Sequence, residues 1–184
     1  MMFSLRKLVH MGGVLFVPLA MFNQYLALGM AVLGIGAFFA LEFVKRRLDP
    51  KLMGLLYRNG ELKGTAMEPL AYLLAITLLL AISLLFMPKA CYVAIVVLTL
   101  GDGVATIVGK AIRGPKLPKT EKTWSGMLSG IIVSASVGFF IAGPAALAGA
   151  AGGMIAEAYA GRGDNCFTAI VAFLCVAAAT LAGF

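Results

Sequence analysis

Ala90-Cys91-Tyr92-Val93-Ala94-Ile95-Val96-Val97-Leu98-Thr99-Leu100-Gly101-Asp102-Gly103-Val104-Ala105-Thr106-Ile107-Val108-Gly109-Lys110-Ala111-Ile112 is an almost unbroken apolar run. A helix crosses the hydrocarbon core of a bilayer in about 20 residues, so this run is long enough to span one. Its apolar residues are continuous, whereas a strand of a transmembrane barrel alternates apolar and polar positions. One acid, Asp102, stands inside it between two glycines. Six further runs have the same character: Leu8–Phe22, Leu26–Val44, Thr65–Met87, Ser125–Ala142, Ala145–Ala160 and Cys166–Gly183. The first and the sixth of the seven runs in chain order are short. Asn23, Gln24 and Tyr25 separate the first two runs, Pro88 and Lys89 the third and fourth, and Gly143-Pro144 the fifth and sixth, because proline ends the helix before it.

The whole chain agrees with this local reading. Of its 184 residues, 61% are hydrophobic and 12% charged. A short soluble domain leaves much of its surface in water and cannot hide so much apolar area. A soluble globular domain, a disordered chain and a coiled coil are therefore excluded. The expected fold is all-α: a polytopic integral membrane protein of about seven transmembrane helices, forming a single membrane-embedded domain over residues 1–184.

The formal net charge of +7 comes from 15 basic and 8 acidic residues. With the N-terminus in the cytoplasm, every basic residue except Lys89 falls on or toward the inner side, as the positive-inside rule requires. All eight acids lie in or toward the same side. Arg6 and Lys7 before an apolar run can mimic a signal peptide, but removing that run would break the charge alternation, so the segment is expected to be retained. The basic residues are scattered among inner loops without interleaved aromatics, so nucleic acid is not an expected partner. The loop Lys45–Gly64 carries Asp49-Pro50 and Asn59-Gly60 turn signals.

Ionisable residues inside a membrane are costly, which makes each a functional candidate. Asp102 is flanked by glycines that let backbone or ligand approach closely; the bland alternative is a helix contact paired to Lys110 or a hydroxyl. Glu157 follows Gly149 and Gly153 at four-residue steps, on one helix face. Asp164-Asn165 opens the seventh run, where such residues commonly cap a helix. Lys110–Trp124 holds two prolines, a glycine and five basic residues. It cannot be a regular helix, and its lysines suit either anionic lipid or a polyphosphate. It is not a Walker A loop, since Ala111 stands where Ser or Thr is required. Arg6 and His10 are one helical turn apart, with Lys7 adjacent. Acids that hold a divalent cation and bases that hold phosphates are together what phosphoryl transfer needs. Gly126-x-x-x-Gly130 and Gly149-x-x-x-Gly153 read as faces for close helix approach. Cys91, Cys166 and Cys175 have no metal or redox spacing.

Four pieces of the chain resemble the CTP-dependent lipid-alcohol kinase family, which includes dolichol kinase, phytol kinase and CTP-dependent diacylglycerol kinase. They are Arg6-Lys7-Leu8-Val9-His10-Met11-Gly12-Gly13, Gly101-Asp102-Gly103 through Gly109-Lys110, Lys122-Thr123-Trp124-Ser125-Gly126, and Glu157 followed by Asp164-Asn165. They stand in the family's order and extend over Arg6–Asn165. The resemblance implies transfer of the γ-phosphate of CTP to a polyprenol, phytol-like or diacylglycerol hydroxyl, with Mg²⁺ or another divalent cation. It implies a multi-pass protein of a prokaryotic cell membrane with its site on the cytoplasmic side. Asp102 would lead as catalytic or metal-site acid, and Glu157 and Asp164 would complete the metal set. Lys7, Gly109, Lys110, Lys119, Lys122, Thr123 and Asn165 would bind nucleotide or phosphate, with Arg6, His10 and Lys122 close to the chemistry. Ser125 stands where many relatives carry Glu, and Cys166-Phe167-Thr168 departs from the usual Leu-Thr-x-Pro. Phosphatidate cytidylyltransferases share a similar Asp-containing helix and the Lys122-Thr123-Trp124 piece, which makes cytidylyl transfer to a lipid phosphate the alternative reaction. A transporter or assembly subunit without enzymatic activity is the third reading.

Overall fold

The computed structural model describes residues 5–45, 65–112, 114–161 and 165–184. The expected loop turns at Asp49-Pro50 and Asn59-Gly60, and the candidate Asp164, lie outside the described residues. Helix α1 (Leu5–Gly12) runs through a 3₁₀ turn (Gly13–Leu15) into α2 (Phe16–Phe22), and α3 (Gln24–Val44) follows. Then come α4 (Met67–Leu85), α5 (Pro88–Val96), a π-helical turn (Val97–Gly101) and α6 (Asp102–Ala111). Helices α7 (Trp124–Ala142), α8 (Ala145–Tyr159) and α9 (Asn165–Leu181) complete the described chain. No strand occurs among the described residues; one isolated antiparallel bridge joins Lys116 and Thr123.

Local chemistry explains the breaks. Pro18 has no N–H for the carbonyl four residues back, and the tighter 3₁₀ turn stands at that place. Asn23 is extended (φ −155°, ψ 108°) and its side chain accepts from the Leu26 N–H at 3.0 Å, so it ends α2 and caps α3. Met87 takes a left-handed turn (φ 50°) into Pro88, the first residue of α5. Gly143 (φ +61°) closes α7 ahead of Pro144. Thr123 Oγ1 accepts from the Gly126 N–H at 3.2 Å and opens α7.

The rod formed by α5, the π turn and α6 is the centre of the molecule. Every residue from Ala90 to Thr99 is buried, as expected of a helix that is apolar all round. Within its most apolar stretch 67% of residues are buried, against 17% in α3, which lies on the outside against α2 and α4. Around the rod stand α4, α7, α8 and α9. Small residues set the crossings. A Cβ on Gly153 would stand 2.7 Å from the Val97 side chain, and one on Gly130 would stand 2.8 Å from the Gly101 carbonyl oxygen. Both glycine pairs read from the sequence thus face close neighbours. At the far end of the rod from Asp102, Gln24 Nε2 donates to the Tyr92 hydroxyl at 2.8 Å and the Ser83 carbonyl at 3.3 Å, tying α3 to α4 and α5.

Four described stretches are long and apolar enough to cross a membrane: Gln24–Val44, Met67–Leu85, Pro88–Ala111 and Trp124–Ala142. Helix also occupies the other three expected stretches, but Lys7–Phe22, Ala145–Tyr159 and Asn165–Leu181 are shorter. Large apolar side chains point outward throughout, Phe43 and Phe140 among the most exposed. That is the surface a lipid solvent favours and water does not.

The α6–α7 crossing leaves no room for a methyl group, because a Cβ on Gly126 would lie 2.6 Å from the Ala105 backbone oxygen. Gly126→Ala is expected to cost about 1–3 kcal/mol and lower the melting midpoint by roughly 3–10 °C. Gly36→Ala, with nothing within 4 Å of its added carbon, is expected to leave the midpoint unchanged or slightly raised. Thermal unfolding in detergent, followed through the single tryptophan, Trp124, checks both.

Candidate functional site

The rod is apolar until the π turn, and Asp102 is the first residue after it. A π turn is wider than an α turn and recurs at functional sites. Here it is flanked by close approaches. A Cβ on Gly101 would stand 2.7 Å from Met154 Sδ, and one on Gly103 would clash with the Met11 side chain. The glycines on either side of Asp102 therefore admit α8 on one side and α1 on the other.

Through these approaches α1 and α8 come up to Asp102, and a third part of the chain joins them through Glu157. Helix α1 brings Lys7, whose Nζ donates to Asp102 Oδ2 at 3.2 Å. It also brings His10, whose Nε2 lies 3.0 Å from the same oxygen and hydrogen-bonds the Leu98 carbonyl at 3.0 Å. One turn along α6, Thr106 Oγ1 donates to Asp102 Oδ1 at 3.2 Å. Helix α8 brings Glu157, which is buried and close enough to Asp102 for the two carboxyl groups to act on each other electrostatically. Lys122, on the segment entering α7, donates to the Glu157 carboxylate and, at 2.8 Å, to the Glu157 backbone carbonyl. Two neighbouring carboxylates, with one lysine bound to each and a histidine beside the first, form one charged cluster. Two adjacent carboxylates repel unless cations or a proton lie close by, and the lysines and the histidine are placed to do that.

Other sequence candidates take different places. Arg6 lies in α1 next to Lys7. Gly109 packs against Thr123 and Gly126, so its missing side chain serves the α6–α7 crossing. Thr123 caps α7. Asn165 Nδ2 donates to the Glu68 carbonyl at 3.2 Å, tying the start of α9 to the start of α4. Lys110 and Lys119 are exposed, and their side chains make no hydrogen bond or ion pair among the described residues; Lys119 is in a left-handed conformation (φ 61°) in the 116–123 turn. Lys116 pairs instead with Glu121. Asp102 thus pairs with Lys7, and not with Lys110.

One neighbour was not among the residues singled out from the sequence. Tyr72 of α4 is buried, donates its hydroxyl hydrogen to the His10 backbone carbonyl, and sets its ring against the imidazole with centroids 4.1 Å apart. Only its spacing on the apolar face of α4 marked it, and that spacing marks a core residue equally well.

Among the described residues no group of three or more His, Cys, Asp or Glu side chains is arranged to hold a metal ion. Asp102 and Glu157 remain as an adjacent carboxylate pair. Comparison of the chain with protein-family models, with curated proteins and with solved structures finds no match.

The Lys122–Glu157 pair predicts a coupling. Lys122→Met leaves the buried Glu157 carboxylate without its cation beside Asp102. It is expected to cost about 1–3 kcal/mol, moderated because the lysine side chain is 42% exposed. Adding Glu157→Gln is expected to restore part of that loss, with a coupling of at least about 0.5 kcal/mol. Melting midpoints of the two single variants and the double variant in detergent check this; additive losses count against the pair.

Proposed function

We propose that the chain is a membrane lipid kinase that transfers the γ-phosphate of CTP to the hydroxyl of a lipid alcohol at the cytoplasmic interface. The observation that carries this reading is the convergence of its four motif-like pieces. Lys7 and His10 come from the first, Asp102 from the second, Lys122 from the third and Glu157 from the fourth, and all meet in one cluster. A structural ion pair needs one acid and one cation, whereas this cluster draws two acids, two lysines and a histidine from four separated segments.

The donor set fits a Mg²⁺ ion carried by a nucleotide, because Mg²⁺ takes one or two carboxylates with phosphate oxygens and water filling the rest. Asp102 and Glu157 would hold it, with Asp164 as the further acid that the family resemblance implies. Such an ion supplies neutralisation of the charge on the transferring phosphoryl group. Lys7 is held by Asp102, and Lys122 by the Glu157 carboxylate and backbone carbonyl, each from a flexible stem. They are the groups positioned to turn toward phosphate oxygens when a nucleotide enters. The lipid hydroxyl oxygen forms the new bond to the γ-phosphorus, the bond to the β-phosphate oxygen breaks, and CDP leaves. The hydroxyl proton passes to the carboxylate cluster of Asp102 and Glu157.

The proposed setting is a multi-pass arrangement of about seven spans with a cytoplasmic N-terminus in a prokaryotic cell membrane. Support comes from charge. The cluster shares its end of the rod with Lys110, while Lys89 stands at the opposite end, at the start of α5. Trp124 and Tyr159 lie at helix ends beside the cluster and are about half exposed, as interfacial aromatics are.

Two measurements test this reading. Purified protein is given CTP labelled on the α- or the γ-phosphate, together with lipid alcohols and lipid phosphates. The expected result is γ-label on an alcohol, lost by roughly 10²–10⁴-fold in Asp102→Asn while the variant keeps its monodisperse elution. Label from the α-phosphate on a lipid phosphate overturns the kinase reading in favour of cytidylyl transfer, and no label on either overturns both enzymatic readings. Orientation is tested in a background without native cysteines. A membrane-impermeant maleimide is expected to label Lys89→Cys in intact cells and Lys119→Cys only after permeabilisation. The reverse pattern would invert the topology.

A further inference from the structure

We propose that Tyr72 is a positioning residue of the site, acting through His10. Its hydroxyl and ring fix the imidazole so that Nε2 presents a hydrogen to the Leu98 carbonyl and the Asp102 carboxylate, and this sets where Asp102 stands. The kinetic consequence rests on the phosphotransfer reading; the hydrogen-bond arrangement does not.

Elementary donor and acceptor chemistry decides the direction of the bonds. His10 Nε2 is 3.0 Å from the Leu98 carbonyl oxygen and 3.0 Å from Asp102 Oδ2. A carbonyl only accepts, and an ionised carboxylate only accepts. The nitrogen between them must therefore carry the hydrogen. On that side His10 is a donor that holds Asp102, and it does not take a proton there from a substrate hydroxyl. The Leu98 carbonyl that fixes it lies within the π turn, so the widened turn and the histidine form one device.

Tyr72 locks that device from the other side. Its hydroxyl donates to the His10 backbone carbonyl and its ring lies 4.1 Å from the imidazole, tilted by 32°. The same hydroxyl packs against Gly13, where any Cβ would clash with it, and Thr99 closes that space at 3.0 Å. Tyr72 thus makes two contacts with His10 while Gly13 leaves room for its hydroxyl. Phenylalanine at position 72 would keep the ring and lose the hydroxyl bond; leucine would lose both. His10 would then be free to rotate away from Nε2–H toward Asp102, and a misplacement of about 1 Å at a reacting group can cost on the order of 100-fold in rate.

The chain contains a single histidine, so ¹⁵N-histidine labelling of the untagged protein in nanodiscs reports this imidazole alone. The wild type is expected to show the hydrogen on Nε2, and Asp102→Asn to shift that signal. Tyr72→Phe is expected to broaden or double it. With CTP and a lipid alcohol, Tyr72→Phe is expected to lower kcat by about 10- to 100-fold and leave KM for the nucleotide within about twofold. If Tyr72→Phe does not fold, Gly13→Ala displaces the same hydroxyl from the opposite side and is expected to disturb the imidazole signal in the same way. An Nε2 without hydrogen in the wild type overturns the proposal. So does an imidazole signal in the tested variant that matches the wild type. Absence of all transfer activity in the wild type refutes the phosphotransfer reading instead, and the spectra still decide the role of Tyr72.

Discussion

A carboxylate inside an apolar helix is costly unless cations and hydrogen-bond donors meet it there. Asp102 follows ten consecutive buried residues of the central rod, from Ala90 to Thr99, and the π turn. The partners it needs are not on its own helix apart from Thr106. Lys7 and His10 must come from α1, which requires α1 to dock on the rod at the π turn. Glu157 brings a second acid from α8, and that acid requires Lys122 from the segment entering α7. Satisfying one buried charge thus constrains the placement of three other elements. Each buried partner left alone would cost more than the pair returns, so the cluster stands or falls as a unit.

Close approach is the complementary constraint. A charged cluster assembled from α1, α6, α7 and α8 needs backbones nearer to each other than ordinary side chains permit. Gly101, Gly103, Gly126, Gly130 and Gly153 provide this, each with a neighbour where its Cβ would stand. The π turn adds a local widening that places the Leu98 carbonyl against His10. Glycine in a helix interior costs about 1 kcal/mol relative to alanine. Within a membrane the return is tighter packing, since helix association there depends on contact and hydrogen bonding more than on hydrophobic exclusion.

Much of the architecture was legible because bilayer length and turn chemistry act locally. Asn23, Pro88 and Gly143-Pro144 end helices by their own backbone preferences, and the described helices occupy the stretches read from the hydrophobic runs. Two prolines and a glycine kept 114–123 out of regular helix. Asp102 and Glu157 were legible as candidates because an acid in an apolar run is conspicuous. Their partners were less so. Lys110, a neighbour along the same helix, was the bland partner for Asp102, whereas the contact is with Lys7, 95 residues away. Thr123 and Asn165, candidates for phosphate, are engaged in capping and in tying α9 to α4. Nothing in the sequence distinguished Tyr72 from any other core aromatic.

From its sequence alone the chain is legible as an apolar, all-helical protein, since hydrophobic run length is a property of each segment by itself. The sequence also determined which residues carry chemistry worth placing, because an acid among aliphatics and a basic loop between helices are visible without a fold. It took the tertiary structure to bring α1, α6, α8 and the segment entering α7 to one point, to set Lys7, His10 and Lys122 on the carboxylates with Tyr72 behind His10, and to leave Lys110 and Lys119 outside. The physical reason is that salt bridges and hydrogen bonds depend on distances of about 3 Å between groups far apart in the chain. Those distances are set by helix crossings, and the crossings depend on packing among all the helices together.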